Sequence, residues 1–418
     1  MNLPKVKNFY VRSSLFGILS LTGAVFNYAL YPILVRILNT SSFGDFAAIT
    51  AISNQLLGLL LAFNIISIYL VKSQGEDEAK AHAEVIQKSL IWFFLLMTLA
   101  VLALSPFLHN LLHIQNVGSF FLLSIILMAA VPAVVWMGYL QGHKELVRVG
   151  LYNVTAALAK LILSTGLAIW LGTMGAIAGT LGGVLIGLAV LSIYPGVKLP
   201  SIRSIFQKSK PKEMQYLFTL KGYIFECLLA VGALSFLQNY DITLAKVLFQ
   251  PATAGVYSGV SILSNALYYV SFLVIWIIMP EIQINNPKAN RRVLGTAYKL
   301  LGALTVVAVA GELVLKNFIT GALLGAGFAS QGYLLIFATL YQLTLVGITL
   351  YVFYLLVQRK KRGAILAGLV FATTVSLPAR FAHTPLEMIQ ILWLSLLIAL
   401  GVYAFATLCY SRLFAGRR

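Results

Sequence analysis

GSFFLLSIILMAAVPAVVWMGYLQ, residues Gly118 to Gln141, contains no charged side chain. A helix needs about 20 apolar residues to cross the hydrocarbon of a bilayer. A β-barrel strand instead alternates over about ten, so this run is too long and too uniform for one. Similar runs occur along the whole chain. Spans are expected near 14–36, 44–71, 88–106, 118–141, 149–171 and 173–194, then near 222–247, 254–280, 296–316, 331–358, 363–379 and 387–410. The composition agrees. The 418 residues are 60% hydrophobic and 10% charged, with a mean hydropathy of +0.90. Soluble domains carry roughly 25% charged residues. A soluble, disordered or collagen-like protein is therefore excluded. The first run has basic flanks but no small-residue cleavage motif, and it is long enough to remain as a span.

Charge placement sets the orientation. Of the 30 basic residues, all but Arg36, Lys160, Lys246, Lys316 and Arg380 fall on one side of a twelve-span arrangement. By the positive-inside rule both termini are expected in the cytoplasm, in a cell inner membrane. The net charge of +18 then reads as a topology signal and an attraction to anionic lipid head groups, and no nucleic-acid partner is expected. The longest stretch between spans, 195–221, holds three prolines and six basic residues. It is expected to lie on the membrane surface as a linker. No segment is large enough to fold as an external catalytic domain.

The two halves resemble each other. LVRILNTSSFGDFAAITAISN runs from Leu34 to Asn54, and LAKVLFQPATAGVYSGVSILSN from Leu244 to Asn265. Gly44, Phe46, Ser53 and Asn54 match Gly255, Tyr257, Ser264 and Asn265 at an offset of 211, while Arg36 matches Lys246 at 210. Each half holds six spans, so the repeats are parallel. The expected fold is an all-α polytopic membrane protein of about twelve transmembrane helices. They form two parallel six-helix lobes around a central cavity, with lobes at 1–194 and 222–418 joined by the linker at 195–221.

Ions within the membrane are costly and mark function or pairing. Lys160 sits midway along the fifth span, with Asn153 seven residues earlier on the same face. Together they suggest a cavity cation that attracts an anionic group. Arg36 and Lys246, at matching span ends, suggest a cationic rim. Asp241, in the seventh span, is a candidate for proton or sodium coupling, and Glu226 is a weaker one. Glu312 precedes Lys316 by four residues, a favourable helical pair with a structural role. Gly175, Gly179, Gly183 and Gly187 recur every fourth residue and predict close helix packing. His109 and His113 lack the glutamate of a zinc protease motif. Cys227 and Cys409 lie in apolar segments. No metal site, disulfide or organic cofactor is expected.

LVRIL, FGDF, QGHKELVRVGLYN, NYDITLAKVL, AGVYSGVSILSN and MPEI together resemble the polysaccharide flippases of the multidrug/oligosaccharidyl-lipid/polysaccharide exporter superfamily. The resemblance covers nearly the whole chain. It implies two six-helix lobes with alternating access and a cargo oligosaccharide carried on polyprenyl (pyro)phosphate. It also implies cavity cations that hold the phosphate, a proton or sodium gradient, and glycan polymerase machinery as a partner. Carried over, the matching basic positions are Arg36 and Lys246, with Lys160 placed by depth. The peptidoglycan-precursor branch usually has fourteen spans, against twelve here. Two other functions compete. A cation-coupled multidrug exporter favours carboxylates in its cavity; Asp241 supports it, while Lys160 and the acid-free first span oppose it. A membrane-embedded polymerase or acyltransferase needs a His and carboxylate constellation that is not apparent in the sequence.

Overall fold

A computed structural model describes residues 3–73, 76–143, 145–194, 197, 221–278, 282, 286–358, 360, 362–376 and 381–415. Those residues are almost wholly helical, with no strand among them. The helices are α1 (Leu3–Ile37), α2 (Thr40–Ser73), α3 (Glu76–Leu112), α4 (Gly118–Gly142), α5 (Leu146–Ser192), α6 (Lys221–Gln238), α7 (Tyr240–Leu248), α8 (Pro251–Ile278), α9 (Pro287–Leu324), α10 (Gly332–Val357), α11 (Arg362–Ser376) and α12 (Pro385–Ala415). A short 3-10 segment, Ala326–Gln331, joins α9 to α10. Nine helices among the described residues are long and apolar enough to cross a membrane. The protein is thus a multi-pass membrane protein. The chain divides into two compact units, Met1–Ile224 and Phe225–Arg418. Of the expected linker, only Val197 and Lys221 are described.

Local chemistry sets the helix ends. Asn39 caps α2, its Oδ1 accepting from the Ser42 N–H at 2.8 Å. Asn286 caps α9 in the same way through the Ala289 N–H at 3.1 Å, with Pro287 at the first helical position. At α12 the Glu387 N–H donates to Thr384 Oγ1 and the Thr384 N–H donates to Glu387 Oε2, each at 3.2 Å.

In the first unit α4 is the central helix, packed against α2, α3 and α5. Its counterpart in the second unit is α10, packed against α8, α9, α11 and α12. The outward faces carry large apolar side chains, among them Ile18, Leu96, Ile162, Val314 and Phe405. That exposure is expected where the surrounding solvent is lipid.

The fifth and sixth expected spans form a hairpin within α5. Gly172 reverses the chain with φ 58° and ψ −136°, a conformation open to glycine and strained for other residues. The glycine stripe closes the hairpin. A Cβ on Gly175 would fall 2.0 Å from the Leu167 carbonyl oxygen, and one on Gly179 would fall 2.2 Å from the Ser164 nitrogen. One on Gly183 would lie 2.6 Å from Lys160 Cβ. The legs therefore meet backbone to backbone, as the four-residue glycine spacing implies. Ser164 Oγ strengthens the contact by donating to the Ala176 carbonyl at 2.9 Å.

The loops at the Gly172 end of the first unit are bonded to one another. Asp45 of the FGDF motif is 1% exposed, and its Oδ2 accepts the Gln115 N–H at 2.9 Å. Thr173 Oγ1 donates to the Ser42 carbonyl at 3.0 Å.

Gly179→Ala is expected to lower unfolding stability by about 1–3 kcal/mol through overpacking. Gly166→Ala meets open space and should leave stability unchanged or slightly raised. Thermal unfolding of the two variants in the same detergent makes the comparison.

Candidate functional site

Two polar sites lie within the apolar helices, one in each unit.

The first surrounds Lys160. Gly23 and Gly150 let α1 lie close along α5: a Cβ on Gly23 would sit 3.2 Å from the Asn153 backbone, and one on Gly150 would sit 2.9 Å from Leu19. That approach brings Asn27 and Tyr31 beside Lys160. The Lys160 ammonium donates to Asn27 Oδ1 at 3.4 Å and stands 5.9 Å from the Tyr31 ring centre. The Asn27 amide donates to the Gly23 carbonyl at 3.2 Å, which turns its oxygen toward the lysine. Tyr31 in turn leans on Tyr28 and Phe46. Among the described residues no carboxylate lies within ion-pair distance of Lys160.

Helical phase shows which way this cation points. Nine residues make two and a half turns, or about 180°. Lys160 is nine residues from Leu151 and nine from Ile169, both exposed apolar side chains. It therefore faces away from the apolar outer stripe of α5. Asn27 is likewise nine residues from exposed Ile18 on α1. Asn153 shares the Lys160 face, although no hydrogen bond joins their side chains.

Arg36 is exposed and lies nine residues beyond Asn27, on the outer stripe with Ile18. It does not join Lys160. The expected match with Lys246 also fails at the helix ends. α1 ends at Ile37 and α2 begins at Thr40; α7 ends at Leu248 and α8 begins at Pro251. Both turns have two residues, so the offset is 211 throughout. Arg36 then corresponds to Val247, and Lys246 to Val35. One residue is about 100° of rotation, enough to leave Arg36 exposed while Lys246 is 0% exposed, enclosed and partnered.

The second site surrounds Asp241. The seventh span is broken between α6 and α7 at Asn239 (φ −122°, ψ 13°). Breaking a helix frees carbonyls that need partners. Here α10 supplies them: the Tyr341 hydroxyl donates to the Leu237 carbonyl at 2.6 Å, and Gln342 Nε2 donates to the Gln238 carbonyl at 3.0 Å. Asp241 lies in the first turn of α7, where the helix dipole favours negative charge. It is 0% exposed. Its Oδ2 accepts from the Tyr257 hydroxyl at 2.9 Å and from the Ser261 hydroxyl, both on α8. Oδ1 completes no hydrogen bond, although the N–H groups of Asp241 and Ile242 lie beside the carboxylate. Lys246, five residues on and about 140° round the helix, is not among the groups bonded to Asp241. Asn265 Oδ1 and Gln342 Oε1 are also buried without a partner.

This site belongs to one repeat only. At the offset of 211, Asp241, Tyr257 and Ser261 correspond to Leu30, Phe46 and Thr50, and α1 runs unbroken where α6 and α7 part. Glu226 lies fifteen residues before Asp241, about 22 Å along the helices, and is not brought to it. Arg380 lies outside the described residues. Among the described residues no cluster of His, Cys, Asp and Glu fits a metal.

Three of the assigned partners were not singled out from sequence. Asn27 and Tyr31 sit four residues apart in the first span, and Ser261 follows Tyr257 by four in the eighth. That spacing puts each pair on one face, but nothing local says which helix the face meets.

Among the described residues twelve α-helices fall into two compact units, with Lys160 between helices of the first and the enclosed Asp241 in the second. Solved structures share this fold. A multidrug resistance MATE family transporter of the MOP superfamily, in an inward-facing conformation, is similar at a TM-score of 0.67 and 13% identity, covering 97% of each chain. The lipid II flippase MurJ, inward closed, is similar at 0.67 and 16%, covering 94% of this chain and 87% of that one. A MOP superfamily transporter from Pyrococcus furiosus, described by the reverse polarity of its binding pocket, is similar at 0.57 and 14%, covering 97% and 95%. In sequence, no family model and no curated protein matches. The chain therefore shares the fold of these solved structures, which are described as transporters and a flippase.

Tyr257→Phe removes a donor to a buried carboxylate and is expected to cost about 1–2 kcal/mol. A double-mutant cycle with Asp241→Asn should give a coupling of about 1 kcal/mol; zero coupling would show that the bond contributes nothing.

Proposed function

We propose that the protein is a flippase that moves an oligosaccharide linked to polyprenyl (pyro)phosphate across the cytoplasmic membrane by alternating access, for cell-surface polysaccharide assembly. The observation that carries this reading is Lys160. It is a cation within the membrane, turned from the apolar stripe of its helix, with an amide oxygen and an aromatic ring as neighbours but, among the described residues, no carboxylate. Such a group is incompletely compensated and favours an anion. In this reading Lys160 and Asn153 face the phosphate, with Asn27 and Tyr31 positioning the ammonium. The neighbour described as a lipid II flippase supports a lipid-linked cargo, and the Pyrococcus furiosus transporter supports a pocket of altered polarity on this fold. The basic loops support a cytoplasmic location for both termini. Anionic lipids and glycan polymerase machinery are the partners that fit.

Asp241 serves as the coupling site in this reading, exchanging a proton or a sodium ion. Its buried carboxylate has one oxygen held by two hydroxyls and one oxygen without a bond. The same carboxylate is what favours the second reading, a cation-coupled multidrug exporter. Two features weigh against that reading: Asp241 is fully enclosed, and α1 carries no acidic residue.

In vesicles loaded with a polyprenyl pyrophosphate-linked oligosaccharide, Lys160→Ala should lower flipping at least about tenfold, the loss of one charge-assisted hydrogen bond. Protein abundance should not change, and Lys160→Arg should retain part of the activity. Unchanged flipping in the alanine variant, or efflux of a cationic dye that rises with it, would favour the exporter. Asp241→Asn should leave flipping insensitive to an imposed proton or sodium gradient; retained gradient dependence would return Asp241 to a structural role.

A further inference from the structure

Glu312 lies on α9 and is 6% exposed. Its Oε1 accepts from Thr339 Oγ1 on α10 at 2.7 Å. Its Oε2 is buried with no hydrogen-bond partner.

The expected pairing with Lys316 does not form. The Lys316 ammonium stands 4.0 Å over the centre of the Tyr333 ring instead. The start of α10 holds it there, since a Cβ on Gly332 would come within 2.6 Å of Lys316 Cγ. The elements packed against α9 are α8, α10 and the 3-10 segment. None of the three contains Asp, Glu, Lys, Arg or His. Their titratable groups are tyrosines, and Tyr333 is already engaged by Lys316. On α9 itself the next charged group is Lys299, thirteen residues away and about 20 Å along the helix. Among the described residues Glu312 thus has no counter-cation.

An isolated carboxylate buried in apolar surroundings neutralises rather than remain ionised. A hard metal cation takes six or more oxygen ligands, whereas Glu312 and Thr339 supply three oxygens at most. A proton needs one. Placed on Oε2, it fills the unbonded position and leaves Oε1 as acceptor for Thr339, which matches the observed contact. We propose that Glu312 is a proton-binding site separate from Asp241, with its proton carried on Oε2. This does not rest on what the protein transports.

The test is infrared spectroscopy of the full chain in lipid at neutral pH, reading the carbonyl stretch of protonated carboxylic acids. One band should be lost in Glu312→Gln, an uncharged variant of the same shape, and kept in Asp241→Asn. Thr339→Val should move that band to higher frequency by removing the hydrogen bond to Oε1. Lys316→Met should leave it in place. A spectrum that Glu312→Gln does not change overturns the proposal. So does a band that sodium abolishes at constant pH, or one that depends on Lys316. Should Glu312→Gln not fold, Thr339→Val decides alone, and an unmoved band overturns the assignment.

Discussion

A charge inside hydrocarbon must be answered by the protein, because no water is there to answer it. Much of this structure follows from that constraint. The chain could cover its outward faces with Leu, Ile, Val and Phe at little expense. The seventh span, which buries an aspartate, is broken beside it, and the carbonyls freed by the break need donors. Tyr341 and Gln342 supply them, and Tyr257 and Ser261 hold the carboxylate. Four residues from two helices, α8 and α10, thus serve this one position.

The two repeats have diverged along this line. Each centres on one helix, α4 or α10, and α1 turns into α2 and α7 into α8 in two residues. In one, the matching positions hold Leu30 and Phe46, both buried and apolar. In the other they hold Asp241 and Tyr257, joined by a hydrogen bond. Replacing phenylalanine with tyrosine at the matching place adds only a hydroxyl, and that hydroxyl donates to the aspartate.

The fold was legible because hydrocarbon imposes long uncharged runs, and those runs end where basic residues and caps begin. The glycine stripe was legible for a similar reason: spacing by four places small residues on one face, and a close partner is the evident use of such a face. The sites were only half legible. Depth along a span can be counted, so Lys160 and Asp241 stood out. Rotation around a span cannot be read without the partner helix, so Asn27, Tyr31 and Ser261 did not. Arg36 and Lys246 show how fine the margin is, since a single residue of register sent one to the outer stripe and the other to the interior. Glu312 and Lys316 met every local condition for a pair, yet Tyr333 and Thr339, both on α10, took one partner each.

The close seam within α5 has a mechanical consequence for its lysine. Where Gly183 lies against the stem of Lys160, the two legs leave no layer of side chains that could slide. The fifth and sixth spans behave as one stiff strut, and the lysine is rooted in it. Any displacement of that ammonium therefore comes either from swinging on its own flexible tether or from movement of the whole strut.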